Sequence, residues 1–333
     1  MSEFCQIYTL PFYEKVKIYL DRIGLRRYSC KFSKKTFSQH ALFFILALKE
    51  KINCSYRIIA KILKELGIYR NMGIMKIPHF TTIQKFCERM DKNILNLLIN
   101  KLAPKITETI IGDGTGFSVN NPSFHYLSVL RRFTKKKITI KSPVNIVLLA
   151  DLKTRLIKYV NTSHTKTHEA KLTKPLLENL DCKNFIYDKA LDSKLIRKKL
   201  EEQNINPIIP YRKNNKKKKI INQELYKQRN IAESIISAIK RTYGKTINNK
   251  KPDTQQKQTL LKILNYNLNI TLKKILNGLK QMISTKPKLE KRVWGCEDLT
   301  PIFLKNKAGP KKSKKLGLRG FEPRLAGFFN NAC

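Results

Sequence analysis

Residues 106–116 read ITETIIGDGTG, an extended-favouring run that closes on an aspartate set among glycines. β-branched isoleucine and threonine favour strand backbone. The stretch therefore predicts a strand over 106–111 with Asp113 just past its end, where glycines let a ligand or another backbone come close. Two more apolar runs follow at 144–149 and 156–160, joined by Asp151, Leu152, Lys153 and Thr154, and these read as a hairpin whose turn Asp151 serves. Beyond it the periodicity predicts a helix over 167–180, a buried strand at 185–187, a helix over 193–203 and a strand at 207–210. Long helices are expected from about 222 to 242 and from about 255 to 279. Strands alternating with helices after a hairpin indicate an α/β fold: a mixed β-sheet flanked by helices.

Upstream of this sheet the chain reads as all-α. Ser38 suits the cap of a helix through 49, Ser55 one through 66, and Thr81 or Thr82 one through 90. Between residues 55 and 90, two helices flank a connection holding Gly67, Gly73 and Pro78 and carry Arg57, Lys61, Arg70, Lys76 and Lys85. That pattern is compatible with helix-turn-helix DNA binding and equally with any packed helix pair. Three regions result: a helical, DNA-binding N-terminal region over 1–104, an α/β domain over 105–283, and a basic disordered tail over 284–333.

Charge narrows the partner class. The 333 residues hold 68 Lys plus Arg against 24 Asp plus Glu, a formal net charge of +44. Such a chain repels itself unless an anionic partner neutralises it, and nucleic acid is that partner. A membrane surface is disfavoured: the longest apolar run, residues 41–48, falls far short of the roughly 20 residues that span a bilayer. The seven cysteines are scattered and never in CxxC spacing, so zinc-site and redox-motif readings are set aside. A cytoplasmic, nucleoid-associated protein is expected.

Against this basic background, a few acids stand out. Asp188 follows the run Phe185, Ile186, Tyr187 and precedes Asp192 and Ser193, which suit a helix start, so two strands each finish in aspartate. Hard divalent ions such as Mg²⁺ prefer carboxylate oxygens and keep water and phosphate oxygens as their other ligands, so two or three acids suffice. A third comes from the 222–242 helix, where Tyr226, Arg229, Glu233 and Lys240 fall on one stripe while Ile231, Ala232, Ile235 and Ile239 can face a core. Taken alone, that stripe is more readily an exposed face with an Arg229–Glu233 pair.

The spacing of Tyr226, Arg229, Glu233 and Lys240 resembles the Y-R-E-K signature of bacterial and archaeal insertion-sequence DDE transposases. Those enzymes place their first aspartate in a segment similar to Gly112-Asp113-Gly114-Thr115-Gly116 and their second in one similar to Tyr187-Asp188-Lys189-Ala190-Leu191-Asp192-Ser193. Leu264-Asn265-Tyr266-Asn267-Leu268 is similar to a motif they carry after the glutamate helix, so the likeness spans about 106–270. Ala190 and Leu191 depart from the pattern, a glycine followed by an aromatic or polar residue, which leaves the geometry of that turn open.

The resemblance implies an RNase H-like fold with Asp113, Asp188 and Glu233 as the catalytic, metal-binding triad. Tyr226 and Arg229 would support the glutamate or the DNA backbone, and Lys240 would contact DNA near the cleaved end. It implies two Mg²⁺ ions, with Mn²⁺ able to substitute, and hydrolysis at element ends that frees a 3′ hydroxyl for attack on target DNA. The implied partners are double-stranded terminal inverted repeats and target DNA, with a homodimer to bring two ends together. The rivals are a metal-dependent nuclease of the same fold and a basic DNA-binding protein without catalysis, including a decayed transposase.

Weaker signals remain. His164 and His168 are four apart but straddle a predicted loop and helix start, which does not suit one shared metal. Arg131, Arg132, Lys135, Lys136, Lys137 and Lys141, and later Lys213 with Lys216–Lys219, fit phosphate contact and solvated loops alike. Trp294 is expected to be incidental. Gly320-Phe321-Glu322-Pro323-Arg324 admits codons containing the TTCGA core of a transfer-RNA gene, which suggests translation into flanking DNA.

Overall fold

Three long strands make the centre of the molecule: β1 (Thr109–Val119), β2 (Val144–Asp151) and β3 (Ile157–Ser163). The computed structural model describes residues 2–32, 34–120, 132, 143–164, 167–211 and 222–284. The basic runs at 133–141 and 213–219, Trp294 and the residues around Gly320 lie outside these, as does the expected tail beyond Ser284.

β1 pairs antiparallel with β2, and β2 with β3, forming the expected hairpin. Its turn is held by Asp151, whose Oδ2 accepts from the Thr154 amide at 2.7 Å and hydroxyl at 2.5 Å. Two short strands, β4 (Asn184–Ile186) and β5 (Asn206–Ile208), extend the sheet in parallel from the other edge of β1, giving the order β3-β2-β1-β4-β5. A two-residue strand the sequence did not announce, β6 (Thr246–Ile247), pairs in parallel with Ser118 and Val119 at the far end of β1. This is the expected mixed β-sheet flanked by helices.

β1 corrects one expectation. It does not stop before Asp113 but runs on through Val119, so Asp113 lies in mid-strand opposite Leu148. Gly112 serves packing rather than strand termination: a Cβ there would lie 2.6 Å from both Leu149 and the Tyr187 ring. The strand's two faces enter different cores. Ile111, Phe117 and Val119 join the large cluster, whereas Ile110 joins a smaller one with Val147, Leu149, Phe185 and Tyr187.

The edge of β1 is interrupted. β4 covers Thr109–Ile111 and β6 covers Ser118–Val119. Both strands lie on the edge served by even-numbered residues, because Asn184 donates to the Glu108 carbonyl and Ser118 and Asn120 donate to those of Lys245 and Ile247. Between them, among the described residues, no strand pairs with Gly112–Phe117 on that side. The sheet therefore has a notch where its two faces communicate.

Helices cover both faces. On one lie α1 (Ser2–Arg22), α2 (Gln39–Ile52), α3 (Tyr56–Glu65), α4 (Ile68–Asn71), α5 (Phe80–Arg89) and α6 (Lys92–Leu102), which precede β1 in the chain. Ser38 and Ser55 cap α2 and α3 as expected, each accepting an amide bond. The expected cap at Thr81 or Thr82 is instead His79, with Thr81 Oγ1 2.9 Å from its ring nitrogen. α4 fills what sequence read as a bare connection between α3 and α5.

Two predicted helices differ in instructive ways. The 167–180 segment yields only α7 (Glu169–Thr173) before tightening into a 3₁₀ turn over Lys174–Asn179, since Pro175 has no amide to donate to an α-helical carbonyl. α8 (Lys194–Glu202) then forms as expected. The 222–242 segment breaks into α9 (Gln223–Lys227) and α10 (Asn230–Tyr243). Bonds from Gln228, Arg229, Ile231 and Ala232 each reach back three residues rather than four, which tightens the turn and re-aims the chain. Tyr226 therefore belongs to a different helix from Glu233 and Lys240.

The longest helix, α11 (Pro252–Ser284), packs against α2, α6 and β3, so the N-terminal helices and one face of the sheet share a single apolar core. Met1–Thr285 form one compact unit. α11 carries polar residues into that core and gives most of their polar atoms partners, Asn265 Oδ1 being an exception. Lys262 is fully buried, and its Nζ donates to the carbonyls of Tyr243, Gly244 and Thr246 at 2.6, 2.9 and 3.0 Å. The ammonium thereby caps α10 and anchors β6. Asn267 donates to the Ile157 carbonyl at 2.7 Å and accepts from its amide at 3.0 Å, and Asn265 donates to Ala47. No helix among the described residues is long and apolar enough to cross a membrane.

Candidate active site

The notch in the sheet is where the acids gather. Asp113 reaches it from mid-β1, and its Oδ1 accepts from the Gly114 amide at 2.9 Å, an N–H on the interrupted edge. Asp188 lies two residues beyond β4 and starts a 3₁₀ turn over Lys189–Leu191, its Oδ1 accepting from the Lys189 amide at 2.7 Å. Glu233 stands in the first turn of α10, near the positive end of that helix.

Arg229, at the break between α9 and α10, binds the set together. Its guanidinium lies 3.6 Å from Asp188 Oδ1 and pairs with Glu233 Oε1. The Tyr226 hydroxyl hydrogen-bonds to the Asp188 carboxylate, and burial, reinforced by that neighbouring charge, pushes its pKa up. The four residues of the spacing thus converge on one locality although the helix that was expected to align them is broken. Lys240 sits two turns further along α10, donates to Thr115 Oγ1 at 2.6 Å and lies 5.6 Å from the Phe117 ring centroid. Burial lowers its pKa, and the charge of Asp113 opposes that shift.

One acid was missed. Glu169, first residue of α7, lies over Gly114: a Cβ on that glycine would stand 2.3 Å from Glu169 Oε1 and 2.5 Å from Cδ. Its pKa is raised by burial and then by the charges of Asp113 and Asp188. The Asp113 carboxyl is raised too, chiefly by burial, with Glu233 and Asp188 adding to the rise and the Gly114 amide and Arg229 opposing it. The sequence weighed His168 for metal binding and passed over the glutamate beside it; the signal is a glycine in mid-strand whose missing side chain makes room for a partner. Glu169 also borders a cleft of about 790 Å³ together with Thr115, Gly116, Asn145, Thr167 and His168.

The histidine pair does not assemble. His164 Nδ1 is 3.0 Å from Gln256 Nε2, and His168 caps α7 across the intervening loop. The cysteines Cys30, Cys54, Cys87 and Cys182 are free thiols.

Among the described residues, no three of His, Cys, Asp and Glu stand close enough together to hold one ion as placed. The donor chemistry nonetheless fits a hard divalent cation: the groups are all carboxylates, and Asp113, Asp188, Glu169 and Glu233 lie near enough to perturb one another. Clustered carboxylates repel, and in a chain with a net charge of +44 their accumulation at one notch is a local reversal of sign.

Comparison with known proteins agrees in kind. A family model described as the transposase DDE domain matches residues 104–268. Among solved structures, the cryo-EM structure of the piggyBac transposase synaptic complex with hairpin DNA aligns with a TM-score of 0.42 and 12% identity, covering 81% of this chain and 74% of that one. No curated protein matches. From the first acid-bearing strand through the asparagines of α11 the matched span takes in every residue of the candidate site, so the site lies wholly within the stretch that is similar to a transposase DDE domain.

Proposed function

We propose that Asp113, Asp188 and Glu233 are the catalytic carboxylates of this transposase and hold the divalent ions, Mg²⁺ or in its place Mn²⁺, that the reaction uses. The reaction so read is hydrolysis at the ends of a DNA element followed by attack of the freed 3′ hydroxyl on target DNA. The observation that carries the reading is Arg229: one guanidinium touches Asp188 and Glu233 and acts electrostatically on Asp113, so all three acids lie around a single cationic point. When bound, a pair of divalent ions activates the attacking oxygen and stabilises the leaving one.

The chain's own groups have separable tasks. Tyr226 holds the Asp188 carboxylate, and Arg229 neutralises Asp188 and Glu233. Lys240, beside Thr115 on β1, offers a cation to the DNA backbone next to the reacting phosphate. Exposed Arg57, Lys61, Arg70, Lys76 and Lys85 on α3–α5 and their connection give the N-terminal region a phosphate-binding surface, with Arg57 lying 4.9 Å from the Phe80 ring centroid. Two copies of the chain are read as bringing the two element ends together.

The test is a cleavage and strand-transfer assay on labelled element ends. Asp113→Ala, Asp188→Ala and Glu233→Ala each abolish both products while the gel shift on DNA is retained. Cleavage persisting in any one of them removes that residue from the triad, and cleavage without any joined product from the intact protein assigns it as a nuclease.

A further inference from the structure

We propose that Thr115 is a positioning residue for the DNA reaction: its hydroxyl fixes the ammonium of Lys240 near Asp113, so that a flexible side chain meets the DNA backbone in one place. The inference rests on the reading of Lys240 as a contact to the DNA backbone and deepens it by naming what aims that contact.

Three observations carry it. First is the strand. Thr115 lies two residues beyond Asp113 on β1, so both side chains leave the sheet on one face, the face on which Ile111 and Phe117 share a core with Ala232, Ile235 and Ile239 of α10. Pairing with β2 holds it there, Thr115 opposite Ile146 and Asp113 opposite Leu148. Second is the contact itself. Lys240 Nζ donates to Thr115 Oγ1 at 2.6 Å and stands 5.6 Å from the centroid of the buried Phe117 ring. Among the described residues the ammonium has no other hydrogen bond and no ion pair. Lysine is a point charge on a flexible four-carbon stem, and fixing the stem in the folded protein removes that ordering from the reaction. Of its three donors Thr115 takes one, which leaves two for phosphate oxygens. Third is the setting. Phe117 is a firm floor, since its ring also lies 5.9 Å from Lys262 Nζ, which three backbone carbonyls hold. Thr115 borders the cleft of about 790 Å³, so the half-buried ammonium is anchored next to open space rather than inside the core.

The experiment measures single-turnover cleavage of labelled element ends at saturating DNA, with the gel-shift affinity for the same DNA alongside. It uses the full-length native chain, Thr115→Val, Thr115→Ser, Lys240→Met and the double variant Thr115→Val with Lys240→Met. Thr115→Val keeps the branched shape and strand preference of the residue and removes the hydroxyl. It is expected to slow cleavage roughly tenfold while DNA affinity stays within about twofold of native. Thr115→Ser restores the hydroxyl and is expected to bring the rate back to within about threefold of native. With Lys240→Met already in place, Thr115→Val has no further effect, because the two residues act as one unit. A native rate in Thr115→Val overturns the proposal. So does a Thr115→Ser chain as slow as Thr115→Val, which would mean that the hydroxyl is not the active feature. Equal slowing by Thr115→Val with and without Lys240 also overturns it, since Thr115 would then act through the strand and not through the lysine. If Lys240→Met itself cleaves at the native rate, the reading of Lys240 fails and this inference with it.

Discussion

Polar and charged groups gather along α11 and at the notch in the sheet on opposite terms. Along α11 the buried Lys262 meets three backbone carbonyls, and Asn267 meets both the amide and the carbonyl of Ile157. At the notch in the sheet, by contrast, Asp113, Asp188, Glu169 and Glu233 face one another with one guanidinium among them. The first arrangement offsets the cost of burial, because the Lys262 ammonium and the Asn267 amide group have regained partners. The second raises the free energy of the fold, and such a concentration of like charge persists where function needs it. The difference separates residues that hold the protein together from residues that the proposed function assigns to a ligand.

The largest way to break the comparison is Lys262→Ala. It strips three carbonyls of their donor at the end of α10 and beneath β6, and is expected to cost about 3 kcal/mol in urea unfolding. A cost below about 1 kcal/mol would place Lys262 with the notch residues rather than the scaffold. Asn267→Ala should follow at about 2 kcal/mol, because α11 loses its tie to both the amide and the carbonyl of Ile157 on β3.

Neutralising a notch acid carries the opposite sign. Asp113→Asn in metal-free protein removes a repelled carboxylate and should raise the melting temperature by roughly 1–2 °C while cleavage is lost. A fall in melting temperature would mean that the acid is structural. The linkage runs the same way: the folded-state pKa values of Asp113 and Glu169 are raised, so the folded chain binds these protons more tightly than the unfolded one. Stability owed to these two groups is therefore gained as pH falls through their raised pKa values, and added Mn²⁺ should erase that gain by competing with the protons.

A pH-dependent effect is expected from Lys262 titration. Burial lowers its pKa from 10.5 to about 8, so between about pH 8 and 10.5 the unfolded chain holds the proton more tightly than the folded one. Stability from this group then increases with pH across that window, and Lys262→Met should flatten the native profile there, as followed by urea midpoints at matched ionic strength.

Much of this was legible in local pattern. The hairpin with its Asp151 turn, the serine caps of α2 and α3, and the short β4 leading to Asp188 all follow from neighbours in sequence. The acids were legible too, as carboxylates spaced through a basic chain. What misled was the assumption that a stripe on a helix needs an unbroken helix. Tyr226, Arg229 and Glu233 meet through a tightened turn instead, which periodicity alone does not distinguish from continuous α-helix.

By itself, then, the sequence determined which residues could carry the chemistry, because charge, capping and strand propensity act over a few residues and are written where they act. The tertiary structure alone decided where β1 would stop, that its edge would stand open between β4 and β6, and that Glu169 would come to rest over Gly114. Those outcomes depend on how side chains distant in the chain share volume at close packing, and no single stretch of sequence holds both halves of such a contact.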